Sequence, residues 1–189
     1  MQRLTLLAKR IQELNDHLML FFTGIHRTAS DIAQSYVEKI EDNESYLRSF
    51  NNMVQEGIAI LAQGQDITRF GRLLHEAWQI KRGLSAKVTN SHIDDIYARA
   101  IKAGAIGGKL IGAGGGGFML LFVHPEKRQK IRETLKDLVY VPFQFDTSGS
   151  QIIFFDPEED FLSEQCNRSA CGDAKVQDAS AVLQTGKRV

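Results

Sequence analysis

Four consecutive glycines, Gly114 to Gly117, stand directly before the apolar run Phe118 to Val123 in the segment KLIGAGGGGFMLLFV. Glycine loses more conformational entropy on folding than any other residue, so a cluster of this kind needs a structural or chemical reason. Glycine offers two properties: a backbone that adopts positive φ, and a surface that another group can approach closely. The segment therefore predicts a special backbone loop that leads into a buried strand.

Two nucleotide-binding motifs are excluded by the residues around this loop. Gly112, Gly114 and Gly117 satisfy the spacing G-x-G-x-x-G. A dinucleotide fingerprint, however, requires a helix directly after the glycines, so that the pyrophosphate meets the helix N-terminus. Here a strand-like run follows, and the next helix is expected only from Pro125. A Walker loop is excluded because no Lys-Ser or Lys-Thr pair follows Gly117.

Two interpretations of the glycine loop remain open. In the first, a tight hairpin between two buried strands uses the glycines for positive φ and close backbone packing, although a hairpin turn rarely needs more than one or two. In the second, unencumbered backbone N–H groups point into a concavity and approach phosphate oxygens more closely than residues with side chains would allow. The number of glycines favours the second interpretation.

The charge balance limits the classes of partner. The 189 residues contain 23 Lys and Arg against 23 Asp and Glu, so the formal net charge is +0. A chain without a basic field has nothing that would hold nucleic acid or an anionic membrane, whereas small anionic ligands can still bind at local sites. We therefore expect small-molecule partners, no nucleic acid and no membrane.

Neither a membrane span nor a secretion signal is expected. The longest apolar runs, Leu18 to Phe22 and Phe118 to Val123, are far shorter than the ~20 residues of a spanning helix. Charged residues interrupt the N-terminal stretch from Lys9 to Asp16. Cys166 and Cys171 have no neighbouring His to complete a metal site, and two cysteines do not make a disulfide scaffold. These features predict a cytoplasmic protein.

The hydrophobic periodicity predicts an α+β domain. Short apolar runs predict strands at His17 to Thr23, GGKLIGA, FMLLFV, VYVPFQF and GSQIIFF. Apolar residues at helical spacing predict helices from about Thr28, over Tyr46 to Gln63, over Ile67 to Trp78, from an N-cap at Ser91 to a stop at Gly104, and from Pro125 to about Leu138. This order predicts a mainly antiparallel sheet covered by helices, similar to a split β-α-β arrangement. The polar residues 158–189 predict a disordered tail.

The glycine segment also resembles a family motif. GGKLIGAGGGGFMLLF is similar to the third conserved motif of the GHMP kinases, which include galactokinase, homoserine kinase, mevalonate kinase and phosphomevalonate kinase. The Lys-Leu-x-Gly-Ala-Gly order, the glycine cluster and the following Phe-x-Leu strand all coincide. FFTGIHRTASDI, LLHEAWQIKRGLS, IDDIYARAIKAGAIGGK and GSQIIFFDP resemble the branch that contains the D-glycero-D-manno-heptose 7-phosphate kinases. The resemblance covers about Leu14 to Pro157.

The resemblance implies a GHMP kinase C-terminal domain over residues 14–157, with a ferredoxin-like split β-α-β sheet and additional packed helices. Residues 1–13 would be a lead-in from an N-terminal domain. In the family that domain binds ATP and Mg²⁺ and carries the catalytic Asp and a loop of the form Pro-x-x-x-Gly-Leu-x-Ser-Ser, which this chain does not contain. We therefore expect the substrate-side portion of a sugar kinase, a fragment, truncated product or split subunit, that is inactive without an N-terminal half.

The resemblance also implies where ligands would bind. One set would lie against the nucleotide phosphates as the third-motif loop: Gly112, Gly114, Gly115, Gly116 and Gly117. A second set, Thr23, Gly24 and Arg27, forms a TG-x-x-R arrangement similar to heptose and fucose kinases, and a guanidinium suits a sugar phosphate. The alternative for Arg27 is an exposed residue at a helix entry.

Three further cations are candidates for the substrate side. Lys81 and Arg82 lie in a basic cluster at a predicted helix end, where they would contact a phosphate or simply complement the helix dipole. Lys109 would approach a phosphate or be an exposed strand residue. No metal ligands are expected in this chain.

The implied reaction transfers the γ-phosphate of ATP to the anomeric hydroxyl of D-glycero-D-manno-heptose 7-phosphate. One alternative is a fucokinase-like fragment, which would need no pocket for a sugar phosphate. Another is a non-catalytic binding or pairing relic, whose uncovered domain face would associate with another copy. The expected partners are a sugar phosphate, ATP, and either the protein's own N-terminal half or a homo-oligomer.

Overall fold

The protein is described by a computed structural model that covers residues 4–26 and 44–146. These residues, apart from Asp146, belong to a compact unit that ends at Phe145. The predicted helix from Thr28, the predicted strand GSQIIFF, Arg27 and the polar tail lie outside the described residues.

The described part of the chain forms one four-stranded antiparallel sheet. Its strands are β1 (Leu18–Phe22), β2 (Ala105–Leu110), β3 (Phe118–Val123) and β4 (Val139–Val141), in the order β2-β3-β1-β4. β3 pairs antiparallel with both β1 and β2, so β1 and β2 run parallel on either side of it. This is the split β-α-β arrangement, and it confirms the predicted α+β fold.

In the described residues, five helices and one short turn accompany the sheet. They are α1 (Ala8–His17), α2 (Glu44–Ala62), α3 (Thr68–Gly83), α4 (Ser91–Ala103), a 3₁₀ turn (Pro125–Lys127) and α5 (Arg128–Thr134). The structure confirms the predicted helices α2, α3 and α4. Among residues 4–26 and 44–146, no helix has both the length and the apolar character that crossing a bilayer requires.

Helix α1 was not predicted from the sequence because its buried face is partly polar. Arg10 and His17 are buried together with Leu14. The Arg10 guanidinium donates to the carbonyl of Ile60 at 2.8 Å and to that of Gln65 at 2.5 Å, which binds α1 to the end of α2, and it forms an ion pair with Glu13 at 2.7 Å. The helix runs across the predicted boundary between residues 13 and 14, and the domain limits themselves stay predictions.

The N-cap of α4 is one residue earlier than predicted. The Oδ1 atom of Asn90, not Ser91, accepts a hydrogen bond from the backbone N–H of Ile93 at 3.1 Å, and Ser91 is the first helical residue. Asn and Ser are comparable caps, so the sequence alone did not separate the two positions. The predicted stop is confirmed, because Gly104 adopts φ +113 and its N–H donates to the carbonyls of Ala100 and Ile101.

The last helix and strand are shorter than predicted. α5 ends at Thr134 rather than near Leu138, and the Arg99 guanidinium from α4 donates to the carbonyl of Thr134 at 2.5 Å. The strand predicted in VYVPFQF has only the residues Val139–Val141. Pro142 ends it, because proline has no N–H to donate to a neighbouring strand.

The core divides into two apolar clusters, and alternate strand residues belong to different clusters. Leu121 belongs to a large cluster with Ile93, Ile96 and Ala100 of α4. Phe122 belongs to a smaller one that includes Leu14, Leu18, Leu61 and Ile67 from β1 and the region of α1, α2 and α3. Helices α4 and α5 therefore contribute to the large cluster, α1 and α2 contribute to the smaller one, and α3 contributes to both.

Helix α3 lies against β2 with almost no space between the two backbones. A Cβ atom on Gly107 would overlap the carbonyl oxygen of Gly71 and lie 3.0 Å from the backbone N of His75. A Cβ atom on Gly71 would lie 2.6 Å from the Phe122 ring. Because α3 is held this closely, its C-terminal end lies beside the end of β2, where the glycine loop begins.

Candidate functional site

The glycine loop, residues 111–117, lies where three strand ends meet. It joins the end of β2 to the start of β3, and the N–H of Ile111 donates to the carbonyl of Phe118 at 2.8 Å at its base. Phe118 pairs with Phe22, so the end of β1 is next to the loop as well. Thr23 and Ile25, which follow that strand end, contact the loop glycines directly.

Positive φ values explain part of the glycine requirement. Four of the loop glycines have them: Gly112 at +85, Gly114 at +131, Gly115 at +71 and Gly117 at +94. Residues with side chains rarely adopt these conformations, because Cβ meets the neighbouring backbone.

Close approach explains the remainder of the cluster. A Cβ atom on Gly114 would lie 2.9 Å from both Cα and the carbonyl oxygen of Val88. A Cβ atom on Gly116 would lie 2.7 Å from the carbonyl oxygen of Ile25. The loop is thus pressed against two other segments, and the tight-packing interpretation holds for these two glycines.

Hydrogen bonds fix the loop in the same two places. The N–H of Gly115 donates to the carbonyl of Val88 at 2.8 Å, and the N–H of Gly117 donates to that of Ile25 at 2.9 Å. The Asn90 side-chain amide donates to the carbonyl of Gly115 at 3.2 Å. Asn90 therefore caps α4 and holds the loop, a double role that the sequence analysis missed.

The expectation of unencumbered backbone N–H groups is wrong for Gly115 and Gly117. Within residues 4–26 and 44–146, the N–H groups of the other loop residues, Gly112, Ala113, Gly114 and Gly116, have no protein acceptor. Gly112 is exposed and Ala113 is half-buried, whereas Gly114 and Gly116 are buried. The loop thus combines a fixed shape with backbone donors that have no acceptor among the described residues.

Thr23 belongs to the support of the loop. Its backbone N–H and its hydroxyl both donate to the carbonyl of Gly117, each at 2.9 Å, and the residue is only 1% exposed. A ring nitrogen of His92, in the first turn of α4, lies 3.1 Å from the carbonyl oxygen of Thr23. Gly24 has φ +77 with open space around the position of a Cβ. Arg27 lies outside the described residues.

Lys81 and Lys109 line the same groove beside Gly112 of the loop. The Lys81 ammonium donates to the carbonyl of Leu110 at 3.4 Å and to that of Gly112. Burial, and next the positive charge of Lys109, lower the pKa of Lys81 to about 8. Burial also lowers the pKa of Lys109.

Arg82 is not part of this pair. Its guanidinium contacts the carboxylate of Asp94 at 3.1 Å and the side-chain oxygen of Gln79 at 3.3 Å. Both partners of the ion pair are about one-third exposed, at 33% and 36%, so the contact is a partly solvated link between α3 and α4. Of the three predicted cations, Lys81 and Lys109 therefore line one groove, whereas Arg82 forms an ion pair between α3 and α4.

A groove of about 590 Å³ begins at this lysine pair and runs between α2 and α3. Its walls are almost entirely apolar. Side chains such as Met53, Val54, Leu73, Leu74 and Ala77 line it, and Lys81, Lys109 and Gly112 stand along its polar part. This groove was not predicted from the sequence, because its two walls come from separate helices whose relative position depends on the tertiary packing.

Among residues 4–26 and 44–146, no group of three or more His, Cys, Asp or Glu residues is arranged to hold a metal ion.

Comparison with known proteins connects this architecture to a family. Residues 58–141 match the family model described as GHMP kinases C terminal. The chain is 35% identical over 141 residues to the D-glycero-alpha-D-manno-heptose 7-phosphate kinase of Campylobacter jejuni, a match that covers 72% of this chain and 41% of that protein. It is 28% identical over 132 residues to the bifunctional fucokinase/GDP-fucose pyrophosphorylase of Arabidopsis thaliana, covering 67% of this chain and 12% of the relative.

The fold itself recurs among solved structures. The mevalonate kinase of L. major, solved in complex with R-mevalonate, matches with a TM-score of 0.58 and 22% identity over 64% of this chain and 37% of that one. The chain thus spans less than half the length of each of these relatives. The motif resemblance, the split β-α-β sheet and the matched family model agree, and residues 58–141 of this chain are a GHMP kinase C-terminal domain.

Proposed function

We propose that this chain is the substrate-side portion of a sugar kinase that transfers the γ-phosphate of ATP to the anomeric hydroxyl of D-glycero-D-manno-heptose 7-phosphate. The observation that carries the proposal is the glycine loop, which is anchored at Val88 and Ile25 and still presents unused backbone donors. Donors held in place before a ligand arrives suit phosphoryl transfer, because catalysis there depends on positioning and charge stabilisation.

In this proposal the loop supports the nucleotide phosphates. The free N–H groups of Gly112 and Ala113 are the most accessible donors to phosphate oxygens, because the neighbouring glycines are buried. Thr23 acts indirectly, since its hydroxyl is used in holding Gly117. Catalytic residues and Mg²⁺ ligands are assigned to an N-terminal half, and this chain is inactive without it.

The sugar side is assigned to the segment that follows β1. Gly24 leaves open space beside the loop, and Arg27 of the TG-x-x-R arrangement would pair with the 7-phosphate of the sugar. The alternative, a fucokinase-like activity, has the support of the 28% identity to the bifunctional Arabidopsis enzyme, which is lower than the 35% identity to the heptose kinase. The two differ in one requirement: only the heptose kinase needs a cation for a sugar phosphate.

A chimeric enzyme tests the proposal. The part of the Campylobacter jejuni kinase that aligns with this chain is replaced by this chain, and ATP-dependent phosphorylation of heptose 7-phosphate and of L-fucose is measured. We expect activity on the heptose phosphate. In that chimera Arg27→Met should raise KM for heptose 7-phosphate more than for an unphosphorylated sugar, whereas Arg48→Met, an exposed residue of α2, should change neither. A folded chimera that phosphorylates neither sugar contradicts the proposal.

A further inference from the structure

The groove between α2 and α3 has a composition that the proposed sugar substrate does not explain. A heptose carries hydroxyl groups along its whole length, and burial of each without a hydrogen-bond partner is unfavourable. The groove offers mainly aliphatic and aromatic surface from Phe50, Met53, Val54, Ile58, Leu73 and Leu74. Its volume of about 590 Å³ lies within the range of small-molecule sites, roughly 300–1,000 Å³.

The two lysines give this apolar groove a polar part. Lys81 comes from α3 and Lys109 from β2, and both line the groove beside Gly112. In the part of the chain that the structure describes, neither ammonium forms an ion pair, and the Lys109 side chain has no hydrogen-bond acceptor. Two adjacent, partly buried cations without a counter-charge are unfavourable unless an anion joins them.

We propose that the groove binds an organic phosphate with an aliphatic body, its phosphate between Lys81 and Lys109 and its hydrocarbon chain along α2 and α3. A phosphate is favoured over a carboxylate because its second negative charge matches the second lysine. The lowered pKa values of both lysines agree with a site that lacks its anion. The proposal goes beyond the kinase reaction and does not depend on it, because it concerns a ligand other than ATP or a sugar.

Calorimetric titration of the intact chain with decyl phosphate, below the concentration at which that compound self-assembles, tests the proposal. We expect saturable binding with one molecule per chain. Inorganic phosphate lacks the aliphatic body and decanol lacks the charge, so each should bind at least about tenfold more weakly. Decanoate should fall between decyl phosphate and decanol.

Lysine variants test the polar part. Lys109→Met should weaken decyl phosphate binding about tenfold, because a charge-assisted contact is lost. Lys109 has no hydrogen bond to the loop, so this variant leaves the loop contacts in place. Lys102→Met, an exposed residue on α4, is the matched control and should bind like the parent chain. Equal affinity of the Lys109→Met and parent chains would overturn the assignment of the phosphate.

Two variants on α2 test the apolar walls without disturbing the core. Val54 lines the groove and is 57% exposed, whereas Leu47 is 48% exposed and does not line it. Val54→Glu places a negative charge beside the hydrocarbon chain and should weaken decyl phosphate binding about tenfold or more. Leu47→Glu should leave binding unchanged. No saturable binding, equal binding of inorganic phosphate, or equal loss in both variants would overturn the proposal.

Discussion

Gly107 of β2 lies directly against the carbonyl oxygen of Gly71 in α3, with no room for a side chain on either residue. This contact sets the distance between α3 and the sheet, and thereby the position of Lys81 beside the glycine loop. A substitution of Gly107 therefore measures how much the stability of the fold depends on close backbone packing.

We expect Gly107→Ala to lower the free energy of unfolding by about 3 kcal/mol, because the added Cβ overlaps the Gly71 carbonyl and the helix must move. Gly83→Ala is the matched control. Its Cβ would lie 3.6 Å from the Tyr46 hydroxyl, an ordinary contact, and alanine favours a helix over glycine by up to ~1 kcal/mol. Urea denaturation of both variants measures the difference, and equal stabilities would contradict the contact.

Two loop glycines separate the effect of close approach from that of φ. At Gly112 a Cβ meets nothing within 4 Å. Gly112→Ala should therefore lower the free energy of unfolding only through the backbone strain at φ +85, by about 1–2 kcal/mol. At Gly114 the φ is +131 and Cβ would also meet Val88, so Gly114→Ala should cost more. Chemical denaturation, with hydrogen exchange of residues 111–117, gives the order. A larger loss for Gly112→Ala would contradict the packing of Gly114 on Val88.

The hydroxyl of Thr23 should contribute about 1 kcal/mol to stability through its hydrogen bond to Gly117. Thr23→Val keeps the shape and leaves the second bond, from the backbone N–H of residue 23, in place. We expect faster amide exchange in the loop together with the lost stability. Thr134→Val, which removes an exposed hydroxyl bond to Lys130, should not alter exchange in the loop.

Lys81 should make stability rise with pH above neutrality. Its pKa is about 8 in the folded chain against an ordinary 10.5, so between these values the unfolded chain holds the proton and the folded chain does not. Stability increases with pH wherever the unfolded state binds more protons, and Lys109, whose pKa is also lowered, adds to the same trend. The destabilisation caused by the buried charge of Lys81 is therefore fully present below pH 8 and is relieved between pH 8 and 10.5.

Unfolding free energies measured between pH 7 and pH 10 check this sign. Lys81→Met should flatten the rise, and Lys102→Met, an exposed residue, should preserve it. A rise of unchanged slope in the Lys81→Met variant would show that Lys81 does not carry the effect.

The parts of the fold that were predictable are those in which apolar residues follow a simple period. The core strand Phe118–Val123 and the helices α2, α3 and α4 are of this kind. Helix α1 was missed because Arg10, which lies in its buried face, donates to carbonyls fifty or more residues away in the chain. The hydrophobic periodicity of a sequence does not reveal hydrogen-bond partners that are so distant in the chain.

The candidate site was predictable only in its glycines. The motif placed the loop, and the strand after it excluded the dinucleotide fingerprint. The partners of the loop, Val88, Asn90 and Ile25, come from two other segments, and their contacts depend on how the helices and strands pack. Tertiary packing likewise places Lys81 and Lys109 in one groove and Arg82 in an ion pair with Asp94.

The anchoring of Gly115 and Gly117 has a consequence for how such a domain can diverge. Because internal backbone bonds fix these glycines, the shape of the loop belongs to the fold and does not depend on a bound ligand. Residues that do not anchor the loop can therefore change without rebuilding it, whereas each anchoring residue is constrained by partners that lie far away in the chain.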